Sequence, residues 1–318
     1  MPTAPVCRPS LSRLAQELLP VLYTHRLLTA AQLNRLLRPQ TTSNRYMRSQ
    51  LQALQEHGLA DATVRHHNHV GELLWYATAL GADAIEAGQE LPSRSYRITE
   101  RAAASALQEH TLAINETGLA MTEHARRLGD ECGPLSWDME VLHRVRDGAR
   151  HGDEAWLTPD AVLRYTRTDG NERRLLNFFI EVDRTTMSVA RLAAKLHAYA
   201  RYATYIPQPA PGRSRHSTNG DLVQEAWRER YPTLPRILIV LTGAPEPVLA
   251  RRAWDLRALA AADTRLQRAA ARTPLQAGVT SLGLLGKHGP FAPIVTPLLG
   301  EDATATDVLL QPRSPAAV

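Results

Sequence analysis

Cysteine is nearly absent: Cys7 and Cys132 are the only two in 318 residues, too few and too far apart for a disulfide framework or a zinc site. No apolar run is long enough to span a bilayer, so nothing points to a membrane protein. The opening stretch MPTAPVCRPS lacks the apolar core of a signal peptide, and the expected location is the cytoplasm. Lysine is as scarce as cysteine. Of 37 basic residues only Lys195 and Lys287 are lysine, an arginine bias that fits a GC-rich coding sequence better than selection for bidentate phosphate contacts. Each lysine is conspicuous for that reason.

What is present is enough for two soluble domains: 318 residues, 44% of them apolar. The net charge of +5 and pI near 9.5 favour an acidic partner such as nucleic acid, although a modest excess of this kind also suits a solvated surface.

Residues 10–92 read as one small unit. Leu14, Leu18 and Leu22 recur at helical spacing; a second helix starts after Thr29, a plausible N-cap, with Leu33, Leu36 and Leu37 on one face. A third is capped at Thr42 or Ser43 and closed at Gly58, with Met47, Leu51 and Leu54 inward. A two-stranded ribbon turning near Asn68 to Gly71 and a short helix follow. Three helices and a ribbon in this order predict a winged helix-turn-helix. Between Glu17 and Glu56 there is no acid, whereas Arg26, Arg35, Arg38, Arg45 and Arg48 all fall there. Asn44, Arg45 and Arg48 begin the third helix, where a recognition helix meets bases and phosphates, and Arg35 joins them as a DNA-contact candidate. The competing expectation is a protein-contact module or a solvated charged face. His66, His67 and His69 alternate along a wing strand and so split between two faces, which suits a polar wing tip better than a metal site.

From residue 100 onward the pattern is mixed. A helix ends at Gly129; LSWDMEVLHRV, AWLTPDAVLRYT and RRLLNFFIEVDR read as strands; TTMSVARLAAKLHAYARYATY reads as a helix. After PQPAPGRSRHSTNGD, which reads as a flexible loop, come a further helix and the buried strand RILIVLTG. The order is αβββαβ over 100–298. Within the same bounds come a helix near 246–270 and an edge strand at AGVTSLGLLG, and a disordered tail over 299–318 follows.

The third of those strands raises the chemical question. Its apolar run ends on Glu181 and Asp183 with only Val182 between them. A strand has a side-chain period of two, so the two carboxylates share a face and repel unless positive charge stands between them. Asp160, near the preceding apolar stretch, is the third acid.

Pro159–Asp160 on one strand and Glu181-Val182-Asp183 on the next resemble the PD-(D/E)xK nuclease fold of restriction endonucleases. More closely, HTLAINE, WDMEVL, TPDAVL and FFIEVDRTTMSVARLAAKLHAYARY behind a winged helix resemble the replication-relaxation family of mobile elements, related to the MOBC-type plasmid-mobilisation relaxases. The resemblance covers roughly residues 10–205. It implies an α+β class: an N-terminal winged helix-turn-helix and a restriction-endonuclease-like domain. The implied cofactor is Mg²⁺ or Mn²⁺, because phosphodiester hydrolysis needs a hard divalent cation to activate water and neutralise developing charge.

The resemblance assigns Asp160 and Glu181 as ligands. At position 183 the standard nuclease pattern has lysine; here aspartate stands there, and in the relaxase-like group Asp183 becomes a third ligand. Arg191, Lys195 and Tyr199 lie four apart on the following helix and share a face. Lys195 is thus the candidate to orient water or stabilise phosphorane charge, the alternative being an ordinary surface lysine. Arg184 either holds a phosphate or pairs with Asp183. Glu116 and Glu140 are further acids for the metal shell, or solvated glutamates. His110 and Asn115 match the family's HxLxxN signature and are read as structural. Tyr199 and Tyr202 leave a covalent tyrosyl-DNA step open.

The leading expectation is therefore a DNA-processing protein of a plasmid or integrative element, nicking duplex origin DNA with a divalent metal. A non-catalytic winged-helix replication or regulatory protein, whose acids are a remnant, is the alternative. A repressor with a ligand-sensing domain is a third, poorly served by three acids. A homodimer and relaxosome or replication proteins are the partners left open beside DNA.

Overall fold

Thr29 opens its helix as the spacing predicts, through a reciprocal capping box: its hydroxyl accepts from the Gln32 N–H at 3.0 Å, and the Gln32 side chain accepts from the Thr29 N–H at 3.2 Å. The computed structural model describes residues 10–66, 71–89, 107–147, 155–208 and 224–311, with 91, 93, 98, 99 and 103 as isolated positions. It is mixed α+β and divides into two units, Met1–Glu123 with Gly133–Leu135 and His124–Cys132 with Ser136–Val318. Among the described residues no helix is long and apolar enough to cross a membrane.

The first unit contains helices α1 (Arg13–His25), α2 (Ala30–Leu37), α3 (Arg45–Glu56) and α4 (Ala79–Ala87), and strands β1 (Leu28–Thr29), β2 (Ala60–Val64) and β3 (Leu73–Ala77). The strands form an antiparallel sheet of order β1-β3-β2, with Trp75 opposite Leu28 on one side and Ala62 on the other. Leu18, Leu33, Met47, Leu51, Leu54 and Leu74 are fully buried. Helix α3 begins later than its expected caps, with Asn44 as N-cap residue, and Gly58 (φ 72°) follows its end in the left-handed region that favours glycine. His66 donates its backbone N–H to Gln108; His67, His69 and most of the expected turn lie outside the described residues.

Helix α5 (Gln108–Leu128) ends at Gly129 (φ 78°), as expected, and passes from the first unit to the second after Glu123. Within the first unit its buried Asn115 donates to the carbonyls of His25 at 3.1 Å and Leu27 at 2.7 Å. Between those carbonyls Arg26 has a positive φ of 67°, so Asn115 pins a backbone turn that arginine adopts only at a cost.

The second unit is built on a six-stranded sheet of order β11-β10-β9-β8-β7-β4. Its strands are β4 (Trp137–Met139), β7 (Ala161–Asp169), β8 (Glu172–Asp183), β9 (Arg236–Leu241), β10 (Ala277–Ser281) and β11 (Thr296–Pro297), and β5 (His143–Arg144) pairs separately with β6 (Trp156–Leu157). The strand expected over LSWDMEVLHRV is divided, with Glu140 at φ 51° just past β4. β7 and β8 form a hairpin through Gly170, Asp169 facing Glu172. β8, β9 and β10 run parallel, and α6 (Val189–Thr204), α7 (Glu246–Ala262) and α8 (Thr264–Arg272) cross between them.

One core joins Phe179, Ile237, Ile239 and Val279 of the sheet to Leu192, Leu196 and Tyr199 of α6, Leu249 and Leu256 of α7 and Leu266 of α8. Three expectations change here. The helix near 246–270 is two helices, because Asp263 caps a new one by accepting from the N–H groups of Arg265 and Leu266. The segment AGVTSLGLLG gives an inner strand, β10, and a helix, α9 (Leu282–His288), in place of an edge strand. The helix expected before β9 is a single 3-10 turn at Ala226–Glu229; residues 209–223, most of the expected flexible loop, lie outside the described residues. In the segment expected as a tail, Val308 and Leu309 are buried, and residues 312–318 lie outside the described residues.

Candidate functional site

The site forms where β7 begins and β8 ends. Ala161 pairs with Ile180 in the antiparallel register, which brings Asp160 alongside Glu181. Asp160 Oδ2 accepts the backbone N–H of Val182 at 2.8 Å, and its own carbonyl accepts from Glu140 N–H at 3.3 Å. Thus Asp160 bridges the two strands beside it.

Glu181 and Asp183 both face the helical layer, as the two-residue period requires, and each is 3% exposed. They meet different cations. Lys195 on α6 brings Nζ to 2.6 Å from Glu181 Oε2, and Tyr199, one turn on, donates its hydroxyl to Glu181 Oε1 at 2.6 Å. Arg252 on α7 places its guanidinium 2.6 Å from Asp183 Oδ2 and also donates to the Met187 carbonyl. The partner of Asp183 is thus Arg252, a residue that nothing in the sequence marks, and not Arg184. Arg252 follows no motif and has no spacing relation to the acids; only the parallel placement of β8 and β9, with α7 after β9, brings it there.

Burial first, and the neighbouring Asp160 charge second, push the Glu181 carboxyl up to about 7, against the pull of Lys195 and Tyr199. Burial draws the Lys195 ammonium down, but Glu181, Asp160 and Asp183 together outweigh it and hold its pKa above the ordinary lysine value. Tyr199, buried against Glu181, is raised well above the ordinary phenol value, chiefly by burial. Tyr199 and Tyr202 are each 1% exposed, which does not suit either hydroxyl to attack a phosphate. Arg191 on the same helix is exposed.

Among the described residues no three His, Cys, Asp or Glu side chains form a group able to hold a metal. The donor set that remains is a pair: Asp160 and Glu181, adjacent and mutually repulsive when both are ionised. Two carboxylates suit a hard cation that keeps most of its waters. Glu116 belongs to the first unit, where it accepts from Arg35 and from Gln32 at 3.1 Å, while Glu140 lies beside Asp160 at the end of β4.

In the first unit Arg45 and Arg48 are exposed on the opening turn of α3. Asn44, Arg48 and Gln52 line a cleft of about 540 Å³ with Ala30, Glu72 and Trp75. Arg35 is differently placed: its guanidinium binds Glu123 through two nitrogens, at 2.8 and 2.9 Å, and Glu116 at 2.5 Å. These acids, Glu123 foremost, raise its pKa against the effect of burial.

Residues 19–216, well over half of the chain, match the family model described as replication-relaxation. No curated protein and no solved structure matches the chain.

Proposed function

Since the chain belongs to the replication-relaxation family, we propose that it binds duplex DNA at the origin of a plasmid or integrative element and nicks it with Mg²⁺ or Mn²⁺. Family membership gives a replication-related role in mobile elements. In this reading the first unit is a winged helix-turn-helix that selects the DNA, and the second is a PD-(D/E)xK-like nuclease domain.

The observation that carries the reading is the Lys195–Glu181 contact next to Asp160. A nuclease of the PD-(D/E)xK pattern needs two acids and one amine at a single point, and here the amine comes from α6 because position 183 is acidic. Asp160 and Glu181 would hold the cation, which when bound supplies charge neutralisation at the phosphate and lowers the pKa of water. Tyr199 fixes Glu181 by its hydrogen bond. Lys195, with 35% of its side chain exposed, can leave Glu181 to orient the attacking water or meet the charge that develops on phosphorus. Asp183, expected as a third ligand, is assigned here to holding Arg252 and so keeping a second cation beside the site. Asn44, Arg45 and Arg48 contact the DNA, and Arg35 buttresses α2 from behind through Glu116 and Glu123.

One observation favours the non-catalytic alternative: each oxygen of Glu181 already has a protein partner. Incubating supercoiled DNA from the source element with the protein and Mn²⁺ separates the two readings. Open circles with the wild type, and none with Glu181→Gln, support nicking. Intact supercoils alongside tight origin binding leave the protein a DNA-binding factor.

A further inference from the structure

We infer that helix α8 is a second DNA-contact surface, a ridge of arginines that follows one phosphate backbone. The inference rests on the reading of this chain as a DNA-handling protein, but on none of the residues used for that reading.

Arg265, Arg268 and Arg272 are all exposed on α8. Successive residues turn by about 100°, so positions i, i+3 and i+7 fall within one narrow stripe, and at about 1.5 Å per residue the three span about 10 Å along the axis. The helix Thr264–Arg272 contains no acid. Its opposite side is engaged with the protein: Leu266 is buried in the core, and Gln267 accepts the Gly300 N–H at 3.0 Å. At the start of the helix Asp263 is taken up by capping and by His197 at 2.8 Å.

Among the described residues none of the three arginines has a carboxylate partner. That separates them from Arg35, Arg65, Arg164 and Arg252, each bound to acids. Three unpaired guanidinium groups on one face repel one another and gain nothing from the fold. A strand of duplex DNA presents a phosphate about every 3.4 Å of axis, so a row about 10 Å long meets about three. The stripe lies beyond residue 216, outside the segment matched by the family model.

The test is the salt dependence of affinity for a short random-sequence duplex, measured by anisotropy with the full chain. Each phosphate contact contributes about 0.9 to the slope of log affinity against log salt. The variant Arg265→Gln/Arg268→Gln/Arg272→Gln should lower the slope by about 2 to 3 and weaken binding about tenfold or more near physiological salt, with an unchanged melting temperature. The matching triple lysine variant keeps the charges and should keep the slope. An unchanged slope in the glutamine variant overturns the inference, as does an equal loss in the lysine variant. Arg45→Ala/Arg48→Ala, run in parallel, keeps the two readings apart. If it alone loses slope, the α8 ridge falls; if only the α8 variant does, the ridge stands and the first unit loses its DNA-binding role.

Discussion

Lys195 Nζ lies 2.6 Å from Glu181 Oε2, although fourteen residues separate them and one comes from a helix, the other from a strand. The chain has only two lysines, and one of them reaches the carboxylate that the acid-X-acid pattern marks. If Lys195 acts on the water or the phosphorane, Lys195→Ala should reduce nicking by about 10²-fold or more while Mn²⁺ affinity stays nearly the same. Nicking at the wild-type rate, scored by open-circle formation, returns Lys195 to the role of an ion-pair partner.

Glu181 gives a pH prediction whose sign follows from its surroundings. Burial, then Asp160, push its carboxyl up to about 7 from an ordinary value of 4.5. The folded protein therefore holds a proton that the unfolded chain has already lost between those values. The resulting stability is fully present below the unfolded pKa and disappears as pH rises through about 7. Wild-type melting temperature should fall more steeply than that of Glu181→Gln between about pH 5 and about pH 8. Parallel curves contradict the assignment.

Asp183 and Arg252 form a buried pair, 2% and 13% of their side chains being exposed. Removing one partner strands the other charge, so Arg252→Met should destabilise by about 3–5 kcal/mol. Asp183→Leu/Arg252→Met should recover most of that in denaturant melts. A double variant as unstable as the sum of its singles would mean that the two are not coupled.

Arg45 and Arg48 are exposed at the start of α3, whereas Arg35 is held by Glu116 and Glu123. Arg45→Ala/Arg48→Ala should weaken DNA binding by a few kcal/mol and flatten its salt dependence. Arg35→Ala should affect mainly stability, by about 1 kcal/mol for a half-exposed network. Equal losses of affinity in the two variants would place Arg35 on the DNA as well.

The local parts of the fold were legible because local chemistry writes them. The Thr29 cap, the inward Met47, Leu51 and Leu54, the helix end at Gly129 and the shared face of Glu181 and Asp183 each follow from turn or period rules within a dozen residues. The site was half legible. The four-residue spacing of Lys195 and Tyr199 marked their common face, but not that both would reach Glu181. Arg252 was missed since nothing near it in sequence distinguishes it from the other arginines; its partner lies 69 positions away and is found only through the strand order. The ion pairs of Arg35 were not legible for the same reason, its acids lying 81 and 88 positions ahead. The β10 segment read as an edge because its glycines and short apolar run look weak, yet β9 and β11 enclose it.

The most direct measurement is the melting temperature of the protein with and without millimolar Mn²⁺. Asp160 and Glu181 repel each other in the metal-free site, and a cation that binds only the folded pair stabilises it by mass action. The wild type should melt at a higher temperature with Mn²⁺, and Asp160→Asn and Glu181→Gln should each lose that shift while remaining at least as stable as the wild type without metal. A wild-type melting curve indifferent to Mn²⁺, from protein that also leaves supercoiled origin DNA intact, would contradict the nuclease account and leave a DNA-binding protein with an inert acid cluster.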